Sequence, residues 1–303
     1  MSELTPLEQI LQSQKLAADR IRRGVKVERT LAGIVVDERL TVVYGLRGVG
    51  KTWWAIGYCQ SHGLTAAYID AEDHLLKKIK ALTADDVVEA VVKLYGDCRT
   101  LIIDEFLKLE IGPAVVEELL RSGWHVIALN SGDKPRFAPV EVMMHPLSWP
   151  EFCRWHGVKE DIATPTGRGL IRKAFDDFLT RGGLPCMQSR RQNKSLPQGL
   201  VSEIIAHDTI NGLRPALVPQ LIKIAANILH QSPVVLNYKE LLPDTDVKSV
   251  NTLRKYVDEI KTTALLRPLV RLSMFDNVRN FMEKLYAADM GLMGDASRVS
   301  RIE

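Results

Sequence analysis

The sequence lacks the patterns of a membrane-spanning helix, a secretory signal and a cysteine-bound metal. Its apolar runs are much shorter than the roughly 20 residues that a bilayer-spanning helix needs. The first 29 residues mix acidic and basic side chains and contain no apolar core of a secretory signal. The four cysteines form no Cys-x-x-Cys pair, which favours free thiols in a reducing compartment over disulfides or metal ligands. We therefore expect a cytoplasmic protein without membrane contact.

Charge is nearly balanced over the whole chain but not between its two halves. The 303 residues carry a net charge of +3. Residues 1–166 hold 20 Lys and Arg against 23 Asp and Glu, whereas residues 167–303 hold 20 against 14. A basic second half suits a polyanionic partner such as duplex DNA, although a surplus of this size is also common on inert surfaces. The length predicts two or more globular domains.

Short apolar runs alternate with helix-length segments in the first half of the chain. The runs are Leu40–Tyr44, Thr65–Ile69, Thr100–Ile103, His125–Leu129 and the weaker Val140–Met144. This alternation predicts buried parallel strands in an α/β sheet. Apolar spacing over Leu7–Ile21 predicts a helix before the sheet, and helical periodicity dominates from Pro150 to Gln231.

One glycine-rich segment has the pattern of a phosphate-binding loop. Gly45–Thr52 fits G-x-x-x-x-G-K-[ST] between a predicted strand and a predicted helix. Glycines let the main chain bring its N–H groups onto phosphate oxygens, and the helix N-terminus adds partial positive charge. Lys51 is predicted to bridge the β- and γ-phosphates, and Thr52 to place its hydroxyl on Mg²⁺. The predicted nucleotide contacts are Gly45, Leu46, Arg47, Gly48, Val49, Gly50, Lys51, Thr52 and Trp53.

Polar residues at the ends of two later strands predict the rest of this site. Asp104 and Glu105 end an apolar strand, which delivers them to the same sheet edge as the loop. Asp104 suits a Mg²⁺ contact and Glu105 suits activation of the attacking water, which favours hydrolysis over a kinase reaction. Asn130 ends the next strand and is predicted to lie between them and orient water; the alternative is a simple strand cap.

The region from Leu217 to Leu272 has the pattern of a helix-turn-helix followed by a wing. An apolar first helix precedes a short helix over Asn237–Leu242, and a third helix is predicted to begin near Val247. The stretch Leu265–Arg271 is a candidate wing. Such a third helix can contact DNA, or the domain can serve only for protein packing. The candidate DNA contacts, opposite the apolar face of the third helix, are Lys248, Asn251, Thr252 and Lys255.

Seven stretches together carry a further signal. They are Tyr44–Thr52, Tyr68–Asp73, Leu101–Glu105, His145–Phe152, Arg181–Pro185, Ile205–Asp208 and Lys284–Leu292. In this order they resemble the prokaryotic AAA+ ATPases that pair an ATPase core with a C-terminal domain of unknown function. The resemblance implies an AAA+ sheet, a helical lid containing Gly182–Pro185, and a winged helix beyond it.

The chain departs from that family in two places. Family members usually carry a Gly-Arg pair before Pro-Leu-Ser, and here Val142–His145 stands there. Arg136 is the first candidate for the missing arginine finger or sensor, and Arg168 and Arg181 come next. The family's tail often continues into a nuclease-like fold, and no nuclease carboxylate cluster can be assigned here.

These patterns predict a four-part chain and a function. The parts are a helical segment (1–30), a P-loop AAA+ core (31–150), a helical lid (151–215) and a mostly α winged-helix domain (216–303). The predicted function is Mg²⁺-dependent ATP hydrolysis, coupled to DNA or protein binding, with a homo-oligomer or protein partner completing the site. The alternative is a nucleotide-gated switch that holds ATP or ADP with negligible turnover, for which the missing Gly-Arg pair speaks. A P-loop kinase is a third possibility.

Overall fold

The chain divides into two compact units. The computed structural model describes residues 4–24, 29, 39–79, 81–109, 112–132, 141–159, 162–189, 199–209, 215–270 and 283–299. The first unit comprises residues 1–45, 50–130 and 134–144, and the second comprises residues 46–49, 131–133 and 145–303. The division into four segments by sequence stays a prediction. In the described parts of the chain, no helix is both long and apolar enough to cross a bilayer.

A parallel sheet forms the centre of the first unit. Its strands are β1 (Leu40–Gly45), β2 (Ala66–Asp70), β3 (Thr100–Asp104), β4 (His125–Ser131) and β5 (Glu141–Met143). They lie in the order β2-β3-β4-β1-β5, with parallel pairing. The helices of this unit are α1 (Pro6–Gly24), α2 (Lys51–Ser61), α3 (Ala84–Tyr95) and α4 (Gly112–Arg121). The predicted P-loop α/β fold is confirmed, with each strand within a residue or two of its predicted bounds.

The strands are buried because nearly all of their side chains are apolar. Strands β1 and β3 have no exposed residue, as expected of parallel strands covered on both faces. Helix α1, predicted from its apolar spacing, buries Leu7, Ile10 and Leu11 in the same core. Its Glu8 carboxylate accepts from the ammonium of Lys93 on α3 at 2.8 Å. Full burial of each such apolar side chain stabilises the fold by about 1.5–3 kcal/mol.

The second unit is mostly helical and contains a small antiparallel sheet. Its helices are α5 (Trp149–His156), α6 (Pro165–Arg181), α7 (Pro185–Ser189), α8 (Leu200–Asp208), α9 (Val218–His230), α10 (Tyr238–Leu241), α11 (Val250–Thr262) and α12 (Met290–Val299). Its strands are β6 (Val234–Val235), β7 (Leu266–Val270) and β8 (Glu283–Ala287), in the order β6-β8-β7. The stretch proposed as a wing thus contains β7. The sequence analysis missed β6 and β8, because one is two residues long and the other is partly charged.

The predicted start of the third helix in this region, near Val247, is wrong by three residues. Helix α11 begins at Val250, because the Ser249 hydroxyl accepts from the Thr252 N–H at 3.1 Å and caps the helix. Lys248 therefore precedes the helix rather than lying on it.

Three stretches that carry the family resemblance contact one another in the second unit. The Glu151 carboxylate accepts from the N–H of Ser148 at 2.9 Å, which caps the start of α5. The Leu147 N–H donates to the Gly183 carbonyl at 2.8 Å. The Gly183 N–H in turn donates to the Asp289 carboxylate at 2.6 Å. Pro-Leu-Ser-x-x-Glu-Phe and Gly-Gly-Leu-Pro therefore have a structural explanation, since they connect α5, the end of α6 and the start of α12.

Candidate functional site

The glycine-rich segment joins β1 to α2 as a P-loop. Gly45 ends β1 and Lys51 begins α2. Gly50 caps α2 with φ of 93°, in the left-handed region where only glycine is relaxed. The Trp54 N–H donates to the Gly50 carbonyl at 2.9 Å, so the preceding N–H groups lie at the open end of the helix. An anion placed there would meet both these amides and the positive end of the helix dipole.

The predicted phosphate and magnesium ligands lie at the base of this loop. The ammonium of Lys51, which is 5% exposed, donates to the Gly45 carbonyl at 3.0 Å. The Thr52 hydroxyl donates to Asp104 Oδ2 at 2.5 Å. Two groups 52 residues apart in sequence are thus in direct contact, close enough to share one Mg²⁺.

Tyr68 is a residue of this site that the sequence analysis did not identify. Its hydroxyl donates to Asp104 Oδ2 at 3.1 Å from the neighbouring strand β2. The carboxylate is therefore oriented by two hydroxyl groups, those of Thr52 and Tyr68. A tyrosine within an otherwise aliphatic buried strand was the available signal.

Burial governs the protonation of the acidic groups at this edge of the sheet. It raises the pKa of Asp104, and the charge of Glu105 adds to the rise, whereas the Thr52 hydrogen bond and the charge of Lys51 oppose it. Asp70 lies opposite Asp104 in the strand register, and burial raises its pKa to about 6. A cation at this edge would stabilise the ionised carboxylates.

The residues present fit magnesium better than a metal held entirely by protein. Among the described residues, no cluster of three or more His, Cys, Asp or Glu side chains could hold a metal ion. One hydroxyl and one carboxylate are hard oxygen donors. They suit a cation that takes its remaining ligands from phosphate oxygens and water, which is how Mg²⁺ is usually bound beside nucleotides.

Glu105 is buried and has an unusual backbone conformation. Its φ and ψ are 52° and 42°, which is left-handed helical geometry in a residue that is not glycine. Such a conformation is disfavoured by roughly 1–2 kcal/mol and is found disproportionately at functional sites. The residue is only 6% exposed. The fold therefore holds this carboxylate at the end of β3 at a cost in free energy.

Asn130 lies where the sequence analysis predicts, at the end of a strand between the other two. The sheet order places β4 between β3, which ends at Asp104, and β1, which leads into the loop. Asn130 is buried. Its role in orienting water stays a prediction.

The remaining site residues predicted from sequence are Trp53 and the three candidate arginines, and the structure gives most of them local partners. The ring of Trp53 lies against Gly24 at the end of α1, so its indole packs there. Arg136 lies outside the described residues. The guanidinium of Arg168 donates to the carbonyls of Ile162 and Ala163 at 2.9 and 3.1 Å, and Arg181 pairs with Asp177.

The candidate DNA contacts lie around the start of α11. Lys248, Asn251 and Lys255 are exposed, and Thr252 is half-buried with its hydroxyl 2.9 Å from that of Ser249. Arg254, which the sequence analysis did not select, lies over the ring of Tyr238. Three of the four predicted side chains are therefore accessible, and Thr252 is engaged in capping.

Comparison with known proteins agrees with this geometry. Residues 37–153 match the sequence model of a family described as AAA domain. No curated protein matches the chain. Among solved structures, the Walker-type ATPase PabY2304 of Pyrococcus abyssi is 12% identical, with 94% of this chain and 95% of that chain covered and a TM-score of 0.55.

Two further structures are more distant. The RuvB Holliday junction branch migration motor of Thermotoga maritima is 15% identical, with 86% and 89% coverage and a TM-score of 0.34. Domain III of the Thermotoga maritima replication initiation protein DnaA is 16% identical, with 76% and 90% coverage and a TM-score of 0.28. The match to PabY2304 shows a shared fold. Residues 37–153 are thus similar to an AAA domain, and the chain has the P-loop α/β fold that its sequence predicts.

Proposed function

We propose that this protein binds ATP with Mg²⁺ and hydrolyses it. The observation that carries the proposal is the contact of the Thr52 hydroxyl with the Asp104 carboxylate at the base of the loop. Burial of Asp104 disfavours its charged form, so an ionised carboxylate at this place calls for a nearby cation. A bound magnesium ion would neutralise charge on the phosphates and on Asp104.

Each residue has a separate task in this mechanism. The N–H groups of the loop and the Lys51 ammonium would bind the β- and γ-phosphate oxygens. The Glu105 carboxylate would accept a proton from water as that water attacks the γ-phosphorus, while the bond from this phosphorus to the β,γ-bridging oxygen breaks and ADP leaves with the electron pair. The Asn130 side chain would orient the water. A glutamate in this position supports hydrolysis rather than transfer to another acceptor.

Two substitutions separate binding from turnover. Lys51→Ala should abolish ATP binding, whereas Glu105→Gln should keep binding and lose hydrolysis. Binding is measured by calorimetry and turnover by phosphate release, with the exposed Lys77→Ala and Glu89→Gln as matched controls. Wild-type turnover in Glu105→Gln would remove the water-activating role.

We also propose that a second copy of the chain supplies an arginine to the site, as the family resemblance implies. Specific activity should then rise with protein concentration, and Arg136→Ala should lower it by about a thousandfold. Arg168→Ala and Arg181→Ala are the next variants, although both side chains have local partners. Flat, near-zero activity with tight ATP retention would favour the nucleotide-gated switch instead.

Duplex DNA binding by the second unit is a further proposal, supported by an exposed polar helix. The element order α9-β6-α10-α11-β7-β8 fits a winged helix, and Asn251 and Lys255 are exposed on α11. Affinity should fall steeply with salt, and Lys248→Ala/Lys255→Ala should weaken binding and flatten the slope. Lys77→Ala/Lys78→Ala, exposed in the first unit, is the matched control. No binding at about 50 mM salt would leave protein packing as the role of this unit.

A further inference from the structure

An ion pair holds the P-loop through the side chain of Arg47. The Arg47 guanidinium donates from Nε to both carboxylate oxygens of Asp208, at 3.0 and 3.2 Å, and from a terminal nitrogen at 2.6 Å. Asp208 is the last residue of α8. The two residues are 161 positions apart in sequence, and both belong to the second unit.

The position of Asp208 is unfavourable unless a cation accompanies it. Its side chain is fully buried, whereas that of Arg47 is 20% exposed. A carboxylate at the C-terminal end of a helix also meets the negative end of the helix dipole. A neutral or apolar residue would fill this place at less cost. Moving Arg47 away would leave the buried carboxylate without its cation, so the pair holds Arg47 in one arrangement.

A second contact fixes the neighbouring residue of the loop. The Cys186 N–H, in the first turn of α7, donates to the Gly48 carbonyl at 3.3 Å. A Cβ atom at Gly48 would lie 2.5 Å from the Cys186 sulfur, so this approach is close. Arg47 and Gly48 are thus held by two different helices. The main-chain N–H groups of the loop depend on the conformation that these contacts set.

We propose that Asp208 is a positioning residue for the nucleotide site. Through Arg47 it orders the loop Leu46–Val49 and thereby sets the affinity for a nucleoside triphosphate. Its effect falls on binding rather than on turnover, because bound phosphates order the loop themselves. The inference rests on the proposed ATP binding, but its first step, the order of the loop, is measurable without any nucleotide.

The first test is amide hydrogen exchange of the nucleotide-free protein. Asp208→Asn should speed exchange in the peptide that covers residues 46–49. Arg47→Lys keeps the charge but loses the bidentate geometry of the guanidinium, so it should speed exchange of this peptide by a smaller factor. The control is Asp246→Asn, since Asp246 forms an exposed pair with Lys223 at 3.4 Å. Unchanged exchange of this peptide in both Asp208→Asn and Arg47→Lys would overturn the inference, whether or not the protein binds nucleotide.

The second test separates affinity from turnover. In Asp208→Asn, the Kd for a non-hydrolysable ATP analogue and the KM for ATP should both rise about tenfold, because fewer molecules have the loop in its binding conformation. The kcat should change less than about threefold. Arg47→Ala/Asp208→Asn should be no worse than Arg47→Ala alone, because Asp208 acts through Arg47.

The outcomes distinguish this inference from the proposed function. A wild-type protein that binds no nucleotide would refute ATP binding, and the exchange result would still decide whether Asp208 orders the loop. A wild-type protein that binds, with equal affinity in Asp208→Asn, would refute the inference alone. Additive losses in the double variant would also overturn it, since Asp208 would then act by another route.

Discussion

Replacing Glu105 with glycine should give a more stable protein than replacing it with alanine, and both variants should lose most of the hydrolysis. The left-handed backbone at this position disfavours a residue with a Cβ atom by roughly 1–2 kcal/mol. Glycine removes that cost, but its freedom in the unfolded chain offsets about 0.5–1 kcal/mol. At the midpoints of these two ranges, the net gain over alanine, which keeps the strain, is therefore roughly 0.75 kcal/mol. At about 2–4 °C per kcal/mol, Glu105→Gly should melt about 1.5–3 °C above Glu105→Ala.

Comparing these two variants isolates the backbone term, because both remove the carboxylate and its interactions. Two control substitutions to glycine should shift the melting temperature in known and opposite directions. Ala81 is exposed with φ of 56°, so Ala81→Gly should also stabilise the protein. Ala17 is exposed within helix α1, so Ala17→Gly should destabilise it by about 1 kcal/mol. Melting is followed by circular dichroism.

Activity should change in the opposite direction. Loss of a positioned general base typically lowers turnover by about 10²- to 10⁴-fold, and both Glu105 variants should show it in phosphate release. A Glu105→Gly protein that melts below Glu105→Ala would refute the strain argument. Near-wild-type turnover in either variant would refute the assignment of Glu105 as the base.

Three more substitutions test other parts of the structure. Tyr68→Phe removes one hydrogen bond to Asp104, so the Mg²⁺ affinity of the nucleotide complex should fall about tenfold while Mg²⁺-free nucleotide binding is unchanged. Burial raises the pKa of Asp289 to about 6, from near 4 in the unfolded chain. The folded protein therefore favours the protonated carboxyl group. The stability that this group contributes is fully present below pH 4 and is lost as the pH rises to 6. The melting temperature of wild type relative to Asp289→Asn should therefore fall over that interval and level off above it; a constant difference would contradict the shift. Gly48→Ala should weaken nucleotide binding, because the added Cβ atom would clash with the Cys186 sulfur. Adding Cys186→Ala should restore only part of the affinity, because φ of +85° still disfavours alanine. Full restoration would show that the steric clash alone weakens binding.

The sheet and the loop were predictable because their signals are local. Each strand of the parallel sheet is an apolar run between polar or glycine residues, and the spacing within Gly45–Thr52 is itself the motif. Placing Asp104 beside the loop needed one further rule, that parallel strands end at the same edge. The contact with Thr52 agrees with that rule.

The features that sequence reasoning missed depend on long-range pairing or on backbone geometry. Tyr68 contacts Asp104 only because β2 pairs with β3 in a particular register. The left-handed backbone of Glu105 leaves no trace in residue type. The partner of Arg47 lies 161 residues away, and no local pattern connects the two. Strand β6, with two residues, is too short to show alternation.

Because Leu46–Val49 belong to the second compact unit, the phosphate-binding motif is not contained within one unit. A fragment cut at the predicted boundary after residue 150 would contain the whole phosphate-binding pattern. It would lack Asp208 and Cys186, which contact Arg47 and Gly48. Weak nucleotide binding by such a fragment would therefore say little about the intact protein, and the smallest meaningful unit for dissecting this site extends at least through α8.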